Sequence, residues 1–446
     1  MDDVKVTTVE TPQFARRLGL FDATMLVMGG IIGSGIFMNP HVVATIVHTP
    51  ALILGAWVFG GLIALAGAFI YAELAARRPK VGGQYAYIRE AYHPLLAFLF
   101  GWGLFLVSNS GGLAAVAMTF ARYFNELTGS SLPDWSVAAT ALSLLTALNC
   151  LGVRTGGTVQ STLMVLKITA IAFLVICGYS LVTDAKLTFT ATIDRPGGFD
   201  LLTSFGGALV PVMFAFGGWQ TANFIAGEIK EPEKNLPRGL LTGVVGVIAL
   251  YLAVNIVSLR VLGADGLAQS SAPASEVMRM VLGERGATII ALGITISTLG
   301  FLSQGILTAP RVYFAMAQDG LFFRNVATLH PRTRVPVLAI VLQGVFAIFV
   351  AFSGTYEQIL SYVVSDDFIF FGLSASCIFV FRMRDRNAGQ AFAMPGHPFT
   401  TALFILVCVA VVLNTVYKYP VNTLIGIVIL LTGIPVYYYW RRKHQQ

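Results

Sequence analysis

The sequence predicts an all-α integral membrane protein with 12 transmembrane helices. They form a 5+5 inverted repeat in which helices 1 and 6 are discontinuous. Three observations predict this. Hydrophobic residues make up 56% of the 446 positions and charged residues only 11%, where a soluble domain carries about 25% charged residues. Twelve apolar stretches approach or exceed the roughly 20 residues that cross a bilayer. Two of them, in opposite halves of the chain, are broken by glycine at mid-span.

The stretches cover about residues 21–46, 50–76, 94–121, 135–152, 159–181, 203–228, 239–262, 286–317, 335–352, 358–381, 399–417 and 421–440, with ends uncertain by several residues. They fill one transporter-like domain over 16–440, between a polar tail at 1–15 and another at 441–446. The first stretch is too long for a cleavable signal peptide and is followed by many others.

Charge fixes the orientation. With the N-terminus in the cytoplasm and strict alternation, 21 of the 29 Lys and Arg residues fall on the cytoplasmic side and 7 on the opposite side. Lys167 is left inside a helix. This asymmetry follows the positive-inside rule and places both termini in the cytoplasm of a plasma-membrane protein. It also explains the net charge of +7 without nucleic acid. The expected surroundings are the lipid bilayer.

The first span contains Gly29-Gly30-Ile31-Ile32-Gly33-Ser34-Gly35, and the sixth contains Phe214-Ala215-Phe216-Gly217-Gly218-Trp219-Gln220. Five helices follow the same pattern from each break, leaving the last two appended. An odd repeat length inverts one half relative to the other and brings the breaks together near the midplane, as in secondary transporters. Unwound backbone at that depth is tolerated where it lines a cavity or is buried in protein.

The chemistry follows from the breaks. If the helix restarts after Gly33-Ser34-Gly35, its free N–H groups and dipole attract an anion, naturally a carboxylate. Ser34 adds a hydroxyl. The structural alternative is a small-residue packing face, because Gly29 and Gly33 also make a GxxxG spacing. Unwinding at Phe214–Gly218 frees carbonyl oxygens, which attract an ammonium. Together the breaks suit a zwitterion. Phe214, Phe216 and Trp219 are candidates to cover it, with ordinary packing as the alternative. Ser108, Asn109 and Gln220 are candidates for the side-chain pocket.

Three ionisable residues sit within spans, where charge is costly and usually functional. Lys167 is a candidate tethered cation in place of bound sodium, and also a candidate proton carrier. Snorkelling to the interface is the alternative. Asp366 and Asp367 project about 100° apart on one helix, so one of them is expected to face the cavity. The segment Glu228 to Arg238 reads as a charged turn with a potential gating role.

Other chemistry is not expected. The histidines show no metal-ligand spacing, and no cofactor is implied. Cys150, Cys177, Cys377 and Cys408 read as core residues without a structural disulfide. There is no phosphate loop or nucleophile–base pair, so an enzyme is not expected. The tails are too short for a sensor domain.

At these residues the chain resembles the amino acid–polyamine–organocation superfamily, and within it the L-type amino acid transporter group in its bacterial form. The resemblance covers essentially the whole chain. It runs through Ile31 to Phe37, Gly82-Gly83-Gln84-Tyr85-Ala86-Tyr87, Phe214 to Trp219, Glu231 to Arg238 and Pro310 to Ala317. It implies sodium-independent amino acid transport, commonly obligatory exchange, by alternating access. It implies that Ser34 and Gly35 bind the α-carboxylate, that carbonyls of Ile31, Phe214 and Gly217 bind the α-amino group, that Phe214 is the aromatic gate and that Lys167 replaces sodium. Gly33, Phe216, Gln220 and Asp367 complete the expected substrate site.

Two departures matter. Asp367 stands where some members carry a pocket Asn, which opens a second reading: a proton-coupled or exchange carrier of cationic amino acids or polyamines. Animal members use a cysteine after helix 3 to join a heavy chain, but Asn125 to Trp135 contains none. No disulfide-linked heavy chain is therefore expected.

Overall fold

A computed structural model of the chain describes residues 14, 16–181, 198–352, 356–385 and 392–445. Almost all of tail 1–15, most of the outer loop 182–202, and Lys5, Lys186, Arg195 and Arg386 lie outside the described residues. Among those described, the chain is helical throughout, and the sole extended pairing is an isolated bridge between Leu18 and Ile229.

Among the described residues, ten helical spans are long and apolar enough to cross a membrane. The remaining two expected spans are the shorter helices α7 (Asp134–Cys150, 17 residues) and α13 (Val337–Ala351, 15 residues). At 1.5 Å per residue these reach only about 26 and 23 Å. The burial pattern fits an apolar solvent. Leu202, Phe349, Leu406 and Tyr417 are exposed, whereas Glu73, Lys167, Glu228 and Arg311 are buried.

The first span is two helices, α1 (Leu20–Ile31) and α2 (Gly35–Val47). The sixth is α9 (Phe199–Phe216) followed by a 3-10 segment over Trp219–Glu228. α2 packs on α9, and α1 packs on the 3-10 segment. The two broken spans therefore run antiparallel, with their breaks at one level. Pro50–Arg77 (α3) and Pro232–Gln269 (α10) pack along one another and flank this pair, while Val153–Ser180 (α8) and Pro273–Thr308 (α11) form a second long contact.

Charged side chains pair between spans. Glu228 and Arg311 form a buried pair at 2.7 Å, and the Glu228 carbonyl accepts from the Arg17 and Leu18 N–H groups. Glu73 accepts from Arg77 at 2.8 Å, from Arg382 at 2.6 Å and from the Met394 N–H at 2.7 Å. Arg78 joins Glu90 and Asp385. These contacts join residues far apart in sequence. The expected gating turn contributes through Glu228, while Lys234 pairs only locally with Glu231.

Glu90 lies between spans. Partial burial pushes its carboxyl up, but hydrogen bonds from Lys80 and Arg78 outweigh this and hold it below its ordinary value of 4.5. A depressed folded value contributes stability that is present above pH 4.5 and is lost as pH falls through the folded value. Acidification below that point should lower the melting temperature in detergent. Glu90→Gln should remove a part of that fall worth about 1 kcal/mol or less. Identical pH–melting profiles for variant and wild type would refute this.

Candidate functional site

The helix of α1 ends at Ile32, whose backbone is extended (φ −76°, ψ 93°) and whose N–H returns to the Met28 carbonyl. Ser34 then caps α2, and its carbonyl accepts from Phe37 and Met38 at 3.1 Å. As at any helix start, the first N–H groups have no intrahelical partner. Gly33 admits Phe301, whose ring would lie 2.9 Å from a Cβ at that position.

The second break is sharper. Gly217 is extended, and Gly218 adopts φ +99°, ψ −12°, a conformation open to glycine and costly for other residues. The two breaks touch backbone to backbone: a Cβ on Gly30 would lie 2.6 Å from the Gly218 carbonyl. Tyr251 of α10 braces them, with its hydroxyl 3.1 Å from the carbonyls of both Ile31 and Ala215.

Between the breaks lies a cavity of about 70 Å³, room for several waters. Ile31, Gly33, Ser34, Gly35, Phe214, Gly217, Gln220 and Asp367 line it, as do Ser108 and Asn109. Most of the expected site is therefore brought together. Polar atoms at the cavity residues are left unsatisfied: Ser34 Oγ, Asn109 Nδ2 and Gln220 Oε1 are buried without a hydrogen-bond partner among the described residues. Buried polar groups normally have partners, so these three leave hydrogen-bonding capacity free at the cavity.

Phe216 requires a correction. It is buried away from the cavity, packed against Trp57 and Tyr251 with ring centroids 5.8 and 5.0 Å apart. Trp219 is likewise turned away, onto Tyr71 and Phe371. Of the three aromatics expected to cover a ligand, Phe214 alone lines the cavity. The reason is helical geometry: residues 214 and 216 on one helix point about 200° apart.

Lys167 does not snorkel. It is fully buried, and its ammonium donates to the Ile32 carbonyl in the first break. The carboxylates separate as expected of helix neighbours. Asp367 lines the cavity. Asp366 is buried behind it, accepting from Ser108 Oγ at 2.7 Å. Ser108 closes a π-helical turn over Leu104–Ser108, an irregularity frequent at functional sites.

Sequence reasoning missed three contributors: Tyr251, Phe301 and Gln304. Gln304 lines the cavity and donates to Thr221 Oγ1 at 2.6 Å. An amide inside an apolar span was a usable signal for it. The tyrosine and phenylalanine carried none, since apolar spans are rich in both. No cluster of three metal-ligating side chains occurs among the described residues.

The family model of the amino acid permeases matches residues 18–436. This chain belongs to the amino acid permease family. The resemblance read from its motifs is thus correct at the level of the superfamily. The permease is 30% identical to the serine/threonine exchanger SteT of Bacillus subtilis (strain 168), over 96% of this chain and 97% of that protein. It is 27% identical to the human cystine/glutamate transporter, over 97% of this chain and 87% of that one. It is 28% identical to the human large neutral amino acids transporter small subunit 2, over 96% and 81%. The permease is a multi-pass membrane transporter of amino acids, not an enzyme. Its relatives carry different substrates, so the family alone does not name its own.

Proposed function

We propose that this permease is a sodium-independent exchanger of neutral L-amino acids. It works by alternating access in the plasma membrane, with both termini in the cytoplasm. Its 12 spans form two inverted five-helix repeats with two appended helices, and it functions without a disulfide-linked heavy chain. The observation that carries the reading is the pair of helix breaks around one cavity with unsatisfied polar atoms. In it the start of α2 and Ser34 take the α-carboxylate. The carbonyls of Ile31, Phe214 and Gly217 take the α-amino group, and Phe214 closes over the side chain. The buried Lys167 amine on Ile32 supports independence from sodium, because it donates to a carbonyl that a bound cation would otherwise serve.

Substrate bridging the two breaks satisfies groups that an empty cavity leaves bare, so the loaded carrier crosses faster than the empty one. Proteoliposomes preloaded with unlabelled amino acid should take up labelled neutral amino acid at least about tenfold faster than empty ones, a difference of about 1.4 kcal/mol in the crossing barrier. Equal rates would overturn exchange.

Asp367 on the cavity favours one second reading: transport of cationic amino acids or polyamines, coupled to protons or by exchange. Asp367→Asn discriminates. A neutral exchanger should keep its substrate profile, with rates changed less than about threefold. A cation carrier should lose basic substrates by tenfold or more, because a charge-assisted contact is worth roughly 1.5–3 kcal/mol.

A further inference from the structure

Outside the central cavity, a second polar recess lies near the C-terminal helix. It is a groove of about 670 Å³ between the segment after α12 (Pro310–Gln318) and the last helix, α17 (Gly433–Gln445). Arg324, Lys443, Phe323 and Trp440 line it, and the lining contains no carboxylate. Neither cation makes an ion pair among the described residues. Lys443 instead lies over the Trp440 ring at 5.6 Å. Phe323 meets the same indole edge-on at 5.1 Å.

The depth of the groove identifies its ligand. Two membrane spans end there, Pro273–Gln318 and Pro420–Lys443. The chain changes from apolar to Arg441-Arg442-Lys443 at this level. That is the interface, where tryptophan and basic side chains anchor a membrane protein. Phe323 and Lys443 are exposed, giving one wall that suits acyl carbon and two charges that suit phosphate. A soluble anion would use the charges but leave the aromatic wall idle.

The geometry points to this groove as a binding site for an anionic phospholipid, with its headgroup phosphate between Arg324 and Lys443 and its upper acyl chain along Phe323 and Trp440. The site is independent of which amino acid the permease carries. Lipid that binds here links the end of α12 to α17 and ties the transporter to membranes rich in anionic lipid.

Trp440 is a built-in reporter. The full chain is reconstituted in bilayers where brominated phosphatidylglycerol or brominated phosphatidylcholine replaces unlabelled phosphatidylcholine. The fluorescence lost in Trp440→Phe defines the signal from Trp440. Each interfacial cation contributes about fivefold to anionic-lipid affinity. Relative to wild type, the preference for phosphatidylglycerol should therefore fall about fivefold in Arg324→Gln and about 30-fold in the Arg324→Gln/Lys443→Gln double variant, Arg441 and Arg442 being common to all three. Both positions are exposed, so these variants should fold. Equal quenching of the wild type by the two lipids, or a preference undiminished in the double variant, would overturn the proposal. So would loss of the preference in millimolar inorganic phosphate at matched ionic strength, which would assign the groove to a soluble anion.

Discussion

Gly218→Ala should reduce exchange in proteoliposomes by roughly a hundredfold while leaving insertion and helix content intact. Two costs act together. At φ +99°, a residue with a Cβ pays about 1–2 kcal/mol. The new methyl also enters the Gly30 carbonyl, where no flexible side chain can yield, and overpacking of that kind costs about 1–3 kcal/mol. The sum is near the 2.7 kcal/mol that corresponds to a hundredfold change in rate. Relief requires the first and sixth spans to separate at the level where the cavity is assembled. Gly246→Ala is the matched control. Its Cβ would meet only the flexible end of Met28, Cε at 3.5 Å and Sδ at 3.8 Å, and alanine favours a helix interior, so its rate should stay within about twofold. Wild-type exchange by correctly inserted Gly218→Ala would show that the close approach of the breaks is not needed for transport.

Both breaks were legible because glycines cluster there at mid-span, and glycine readily adopts the non-helical backbone that a break requires. The structure then added what a linear pattern does not encode. Ser34, Gly35, Phe214 and Gly217 fall at the cavity because they sit in or beside the breaks themselves, and where the backbone breaks follows from local sequence. Phe216 was misplaced because a motif names neighbours without saying which face each occupies. The opposite faces of residues 214 and 216 are a property of the helix. Asp366 and Asp367 were separated correctly by the same geometry, yet only the fold could show that Ser108 claims Asp366. Tyr251 lies in a different span from either break, and its brace depends on α10 crossing both of them. Contacts of that range are a product of packing, and a phenol among apolar residues gives no warning of them.

Lys167 brings these two levels together. Its cost in an apolar span made it visible in the sequence, and its partner, a carbonyl in the unwound break, became visible only in the fold. Lys167→Met should lower exchange per folded molecule by at least about tenfold. The variant keeps the volume of the stem but leaves the Ile32 carbonyl buried without its donor, at a cost of about 1–3 kcal/mol. Lys167→Arg should not restore function, because a planar five-donor fork does not fit where a point charge meets one oxygen. Gly300 adds to the constraint: even a Cβ there would lie 3.4 Å from the ammonium. Wild-type exchange should be unchanged when sodium is replaced by choline, since Lys167 already donates to the break carbonyl that a sodium ion would otherwise serve. A purely structural lysine would behave differently: Lys167→Met would melt at a lower temperature, yet each surviving folded molecule would exchange at the normal rate. Measuring transport against the folded fraction separates the two. A normal rate per folded molecule would remove Lys167 from the transport cycle and leave it as a packing residue of α8.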